Sequence, residues 1–209
     1  LRMFQAQDAS NKALGFVECI PGEFAWRPIA ADGYVFIQCV HIYSKKDRQQ
    51  GMGKSMLDRC AQYAREEGMQ GLCTMTSKGP WLATKDVFEQ YGFEKADERG
   101  RFEFLYYPFD QSAPKPELIN WEAQQKQYEG WHLLYSNQCP WHLKAINELS
   151  LLADQKGIPL QVREITSAEE VRMGPSGFGT FALLKDGKLL SDHYISKTRF
   201  KNILNKELV

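Results

Sequence analysis

"DRQQGMGKS", Asp47 to Ser55, sets two glycines, a lysine and a serine where a chain can turn around a phosphate, and the rest of the chain is read outward from it. A Walker loop requires Gly-x-x-x-x-Gly-Lys-Ser/Thr; its opening glycine would fall where this chain has Arg48. The dinucleotide fingerprint Gly-x-Gly-x-x-Gly would need a third glycine where the chain has Met56. What remains is Arg-x-x-Gly-x-Gly, Arg48 to Gly53, running straight into a helix. From Lys54 to Glu67 the apolar Met56, Leu57, Cys60, Ala61 and Ala64 recur at helical spacing, and Gly68 stands where a C-terminal cap belongs.

Upstream, "LRMFQAQD" and "KALGFVECI" read as two strands joined by a polar turn, and "GYVFIQCVHIY" as a third strand, apolar enough on both parities to be central. Downstream, "GLCTMTS" is a further strand, "ATKDVFEQYGF" a short helix ending at Gly92, and "RFEFLYYPF" a closing strand. Tyr107 to Gly130 carries Pro108, Pro114 and Pro116 and a polar run, and it interrupts both flanking patterns as a linker does. The expected organisation is an α/β domain over 1–109, a linker over 110–130 and a second domain over 131–209.

Bulk composition narrows the partners. Lys plus Arg equals Asp plus Glu at 26 each over 209 residues, so no global field favours nucleic acid or an anionic membrane. No run reaches the roughly 18 apolar residues of a membrane span. The five cysteines, Cys19, Cys39, Cys60, Cys73 and Cys139, are odd in number and contain no Cys-x-x-Cys, which argues against a disulfide framework or a zinc ribbon and for reduced cytoplasm. Cys139 and His142 make at most half a metal site, so no metal is expected.

A glycine loop after a central strand, opening a helix, gathers unpaired N–H groups and the positive end of the helix dipole at one spot, which suits a pyrophosphate. Strand, Arg-x-x-Gly-x-Gly, helix, strand and then "VFEQYGFEK" together resemble the GNAT family of acyl-CoA N-acyltransferases. The resemblance implies acetyl-CoA as cosubstrate and a small-molecule amine as acceptor. It places the pyrophosphate on Arg48, Gln49, Gln50, Gly51, Met52, Gly53, Lys54 and Ser55, and pairs the pantetheine arm with Ile42 and Tyr43, where an amide N–H polarises the acyl carbonyl. Where that family often has a tyrosine to protonate the departing thiolate this chain has Phe88, and Trp81 replaces a common asparagine. The family's fold ordinarily opens with a strand and two helices before the point matching Leu1. The resemblance therefore implies that these elements precede the sequence given or that another segment replaces them.

His41 and Tyr43 are the catalytic candidates on the central strand, which carries no Asp or Glu from Tyr34 to Ser44. His41 reads equally as a base for an ammonium proton and as a strand histidine hydrogen-bonded at a sheet face. Cys39 shares its face and reads as a small buried hydrophobe. Tyr43 and Tyr91 could each donate a proton, with core packing the preferred reading for Tyr91.

After the linker, "WHLLYSNQCPWHLKAINELSLLADQKGIPLQVREI" runs strand, loop, helix, strand, with Trp141, Ala145, Ile146, Leu149, Leu152 and Ala153 on one helix face. "FGTFALLKDGKLLSD" is a hairpin turning at Asp186-Gly187, and Lys197 to Leu204 a last helix. This order resembles a thioredoxin-like βαβ-ββα domain, and "YSNQCPW" resembles a glutaredoxin active-site entry. Here the resolving cysteine is replaced by His142 and the cis-proline position by Gly179, so two-thiol exchange within the domain is unavailable. Cys139 at the first turn of its helix is the expected reactive thiol, favoured as thiolate by the dipole and by a protonated His142; the other reading packs it inertly against Trp141.

The whole arrangement resembles the YoaP-type acetyltransferases. The fold expected is α/β, a partial GNAT fold followed by a small thioredoxin-like domain, and the function an acetyl-CoA-dependent N-acetyltransferase. The alternative is a degenerate acyl-CoA binder joined to a monothiol redox or thiol-ligand module.

Overall fold

The structure, a computed structural model, describes residues 1–44, 46, 51–79, 82–138 and 140–208. The chain divides into two α/β units, one of Leu1–Ala25 and Ile29–Leu118, the other of Trp26–Pro28 and Ile119–Val209.

The first unit holds strands β1 (Arg2–Gln7), β2 (Ala13–Pro21), β3 (Ile29–Ala30) and β4 (Tyr34–Ile42), helix α1 (Met52–Glu66), strand β5 (Gly71–Ser77), helix α2 (Asp86–Tyr91), and strands β6 (Glu94–Arg99), β7 (Phe102–Pro108) and β8 (Glu117–Leu118). Six of the strands form one sheet in the order β1-β2-β4-β5-β7-β6, while β3 pairs with β8. Within the sheet β4 and β5 are parallel and linked through α1, whereas the other neighbouring pairs are antiparallel. The five apolar residues of the expected stripe are all buried and pack with Val17, Cys19, Val35, Ile37 and Leu72 of the sheet. Each large apolar side chain buried this way contributes roughly 1.5–3 kcal/mol.

One register irregularity sets the faces of β4. Glu18 pairs with Cys39 but Cys19 pairs with Ile37, leaving Gln38 as an extra residue. Val35 and Ile37 before this bulge, and Val40 and Ile42 after it, therefore all pack toward α1. Cys39 and His41 stand on the opposite face and are exposed, so Cys39 is not the buried hydrophobe its composition implied.

The segment 110–130 is not a plain spacer. Its first part forms β8 with the first unit, and Tyr34 Oη donates to the Pro114 carbonyl at 2.9 Å. Its second part contains helix α3 (Glu122–Gln125) of the other unit.

The second unit continues with β9 (Trp131–Tyr135), α4 (Pro140–Gln155), β10 (Leu160–Glu164), α5 (Ala168–Arg172), β11 (Phe181–Lys185), β12 (Lys188–Ser191) and α6 (Lys197–Glu207). Its sheet runs β10-β9-β11-β12, with β10 parallel to β9 and the other pairs antiparallel. Asp186 and Gly187 both take positive φ, 48° and 75°, as the Asp-Gly hairpin signal requires. Ala145, Ile146, Leu149, Leu152 and Ala153 are buried as expected, but Trp141 is 49% exposed. Gly179 sits at φ +83°, and a Cβ there would lie 2.6 Å from Val171 Cγ1, so only glycine fits.

His142 is buried, and its Nδ1–H donates to the Ser136 carbonyl at 2.9 Å. Burial depresses its pKa, as does the nearby Arg27 charge, while the bond to Ser136 opposes the shift. His142 is thus neutral in the fold, contrary to the expectation that its positive charge helps a neighbouring thiolate.

Because the folded-state pKa is lowered, the unfolded chain takes the proton first as pH falls. The associated stability is present above the ordinary imidazole value near ~6.5 and is lost as pH falls through it toward the folded value. Thermal melts from about pH 7.5 to about 5.5 should show a smaller loss of midpoint in His142→Asn than in the parent. An equal loss in both would contradict the assignment.

Candidate functional site

The parallel pairing of β4 with β5 is short. It runs from Tyr34 with Gly71 to Ile37 with Thr74 and stops. Beyond it Cys39–Ile42 remain paired to β2, and Met75–Ser77 to β7, so the sheet continues on both sides of a gap. The last link across the junction is the Thr74 hydroxyl, which donates to the Ile37 carbonyl at 3.0 Å. Tyr43 N–H donates to Leu14 O at 2.9 Å on the β2 side. Strand alternation then turns the amides of Val40 and Ile42 to the open edge.

A cavity of about 420 Å³ occupies the gap, lined by Ile37 to His41, Thr74, Met75, Leu82, Ala83 and Phe88. Its lining includes Val40 from the α1 side and His41 from the other, so it passes between the strands. The side-chain Oε1 of Gln38, the bulge residue, is buried here without a hydrogen-bond partner among the described residues. A buried acceptor left unpaired costs about 1–3 kcal/mol, and a ligand N–H would satisfy it.

Next to it lies a cleft of about 590 Å³ lined by Ile42, Gly51, Gly53, Lys54, Thr84, Asp86, Val87, Gln90 and Tyr91. The neighbours His41/Ile42, Ala83/Thr84 and Phe88/Val87 contribute one residue to each space, so the two are successive stretches of one groove. Gly51 caps α1 in the left-handed region at φ 76°, with no side-chain hydrogen bond to the helix end and nothing within 4 Å of where a Cβ would stand. The first intrahelical bond runs from Ser55 N–H to Gly51 O at 3.0 Å. The amides of Met52, Gly53 and Lys54 precede it and have no carbonyl in the helix to reach. Among the described lining residues Lys54 is the one cation, Asp86 the one anion. The groove can thus hold an anion at a helix start and, further in, an extended arm with amide groups.

Several sequence expectations change here. Ser55 spends its amide inside the helix and Tyr43 spends its own on β2, so neither N–H serves a ligand. Ile42, Gly51, Gly53 and Lys54 line the cleft, Met52 follows the cap, and His41 lines the inner cavity. Tyr43 lines neither space; it is 54% exposed and packs its ring 5.6 Å from that of His41. Arg48, Gln49, Gln50, Trp81 and Cys139 lie outside the described residues. Phe88 is buried against Phe93 with its surface toward the inner cavity.

Tyr91 is more than a packing residue. Its hydroxyl donates to Asp58 Oδ1 at 2.9 Å, and burial, followed by the Asp58 bond and charge, pushes its pKa up, so it holds its proton. Asp58 accepts from Lys54 Nζ at 2.9 Å, and that bond, with the one from Tyr91, keeps its carboxyl below the usual range. The exposed Lys54–Asp58 pair adds little stability. No sequence signal marked Gln38 or the Val40 amide, because their availability follows from the bulge and the gap rather than from residue type.

A family model described as YoaP-like matches residues 159–202. A Bacillus subtilis (strain 168) protein named "Uncharacterized N-acetyltransferase YoaP" is 29% identical over 93% of this chain and 79% of its own length. Among solved structures, the Escherichia coli GNAT family N-acetyltransferase YhbS in complex with CoA is 15% identical, with a TM-score of 0.41 over 56% of this chain and 66% of that one. A Brucella melitensis GNAT family acetyltransferase in complex with acetyl-CoA is 14% identical, with a TM-score of 0.37 over 54% and 61%. The chain spans less than two thirds of the length of either structure.

The Thr74–Ile37 bond is the structural pivot of the gap. Thr74→Val, which keeps shape and removes the donor, should cost about 1–2 kcal/mol in urea denaturation, and Thr74→Ser should recover most of it. Equal stability of the valine variant and the parent would contradict that role.

Proposed function

We propose that the chain is an acetyl-CoA-dependent N-acetyltransferase acting on a small-molecule amine. The observation that carries the reading is the end of β4–β5 pairing at Ile37 and Thr74, with the resulting groove leading to the N-terminus of α1. The name of the B. subtilis relative supports the same activity. In this reading the amides of Met52, Gly53 and Lys54 hold the pyrophosphate, with Arg48, Gln49 and Gln50 of the same loop. The Ile42 and Val40 amides and Gln38 Oε1 receive the pantetheine amides and the thioester carbonyl. The amine nitrogen attacks that carbonyl carbon, the carbon–sulfur bond breaks, and CoA leaves with a proton; His41 takes the ammonium proton, with Tyr43 beside it.

The second unit is, in the same proposal, a thioredoxin-like accessory domain with Cys139 as its reactive thiol. Its β10-β9-β11-β12 order supports the thioredoxin-like reading, and the start of α4, four residues after β9, supports a thiol at a helix start. The domain limits read from the sequence, 1–109 and 131–209, belong to the proposal. So does a cytoplasmic location, which the four described cysteines, all free of disulfides, support. No helix among the described residues is long and apolar enough to cross a membrane.

Free CoA release from acetyl-CoA, followed with panels of amines, amino acids and thiol metabolites, tests the activity. Amine-dependent release is expected from the parent, with kcat reduced by roughly 10²-fold in His41→Ala. Gly51→Val, strained at φ 76°, and Gly53→Val, crowded by Val87 Cγ2 at 3.1 Å from its Cβ position, should weaken CoA binding by at least about tenfold in calorimetry. Saturable CoA binding with no release in the presence of any amine would reduce the protein to a binder.

A further inference from the structure

The inner cavity opens on the sheet face opposite α1, and the four strands on its β1 side and at its rim carry few charges. Strands β1, β2, β4 and β5 carry two charged side chains, Arg2 and Glu18, apart from the imidazole of His41. Arg2 lies on the α1 side, its guanidinium 5.8 Å from the centroid of the Tyr63 ring. Glu18 lies on the other side, because its neighbours Val17 and Cys19 pack in the α1 core. It is directly opposite Cys39, as Phe16 is opposite His41. Side chains facing each other across antiparallel strands have Cβ atoms about 4.5–5.5 Å apart. Glu18 therefore stands beside Cys39 and diagonal to His41, two residues that line the cavity.

The rings of Phe16, His41 and Tyr43 gather on the same face, with centroids 5.6 to 6.0 Å apart. Glu18 is partly buried and forms no ion pair among the described residues. A carboxylate with no ion pair among the described residues, beside aromatic faces at the mouth of the cavity, is built to receive a positive charge; the cation Arg101 of the same face is bound to Ser77 and stacked on Phe102, beyond β5.

We infer that Glu18 is the acceptor-binding residue that selects amines lacking an adjacent carboxylate, holding the ammonium group beside His41 before its proton is removed. This rests on the acetyltransferase reading above and names its acceptor class. An α-carboxylate next to the reacting nitrogen meets the Glu18 charge and is disfavoured, whereas the corresponding simple amine is accepted. The sequence of the central strand contains no carboxylate; the bulge and the β2 register bring one from the neighbouring strand.

The test uses matched probes that differ by the carboxylate, phenethylamine with phenylalanine and cadaverine with lysine, each with acetyl-CoA and the full chain. The parent should favour the amine of each pair by about tenfold or more in kcat/KM. In Glu18→Gln the amine KM should rise about tenfold and the preference within each pair should shrink toward unity, with Glu18→Asp intermediate. The KM for acetyl-CoA should be the same in all three proteins, which shows that the fold and the cosubstrate site are intact. An unchanged amine KM and pair preference in Glu18→Gln overturns the inference while leaving the transferase reading in place. CoA release with no amine in the wider panel overturns both.

Discussion

The groove exists because two parallel strands stop pairing while each keeps its other neighbour. Up to Ile37 and Thr74 the central strands share a ladder, closed by the Thr74 hydroxyl on the Ile37 carbonyl. Immediately after, Gln38 bulges, which bends and twists β4 and changes which residues face α1. One extra residue thus exposes a row of backbone amides, buries an unpaired side-chain oxygen and sends His41 to the far face. In an ordinary sheet interior such unpaired groups would be a defect, since buried polar groups are nearly always satisfied. Here they line a cavity continuous with a helix start.

How far the sequence revealed this depends on whether each feature is a matter of residue type or of register. The α1 stripe was legible because Met56, Leu57, Cys60, Ala61 and Ala64 repeat with the helical period, and all five are buried. The Asp186-Gly187 hairpin was legible because few residues tolerate that backbone conformation. Strand β6 was not, because Glu-Lys-Ala-Asp-Glu-Arg at the sheet edge has no apolar alternation to read. Cys39 looked buried by residue preference and is exposed, because the parity of β4 changes at Gln38. Tyr43 and Ser55 looked like ligand donors by position, yet their amides are consumed by Leu14 and Gly51. Trp26–Pro28 falls in the second unit, a long-range excursion that no local pattern announces.

In the second unit, buried polar side chains donate to backbone carbonyls. His142 is buried and neutral, and it donates to Ser136, the residue directly after β9. Arg27, also buried, donates to the Phe178 carbonyl at 2.6 Å and lies over the Phe178 ring at 4.6 Å. The turn bearing Gly179 is crowded by Val171 and the Trp26 carbonyl. These contacts hold the segment before β11 in one conformation with packing and backbone hydrogen bonds.

The central claim is that the β4–β5 gap and the start of α1 form one acyl-CoA groove. Amide-resolved NMR of the full chain during titration with CoA tests it most directly. The account predicts saturable shifts at Val40 and Ile42 on one side and at Met52, Gly53 and Lys54 on the other, all following one binding curve, while the Tyr43 and Ser55 amides, already bonded, move least. Shifts confined elsewhere, or perturbation of the α1 start with β4 untouched, would contradict it.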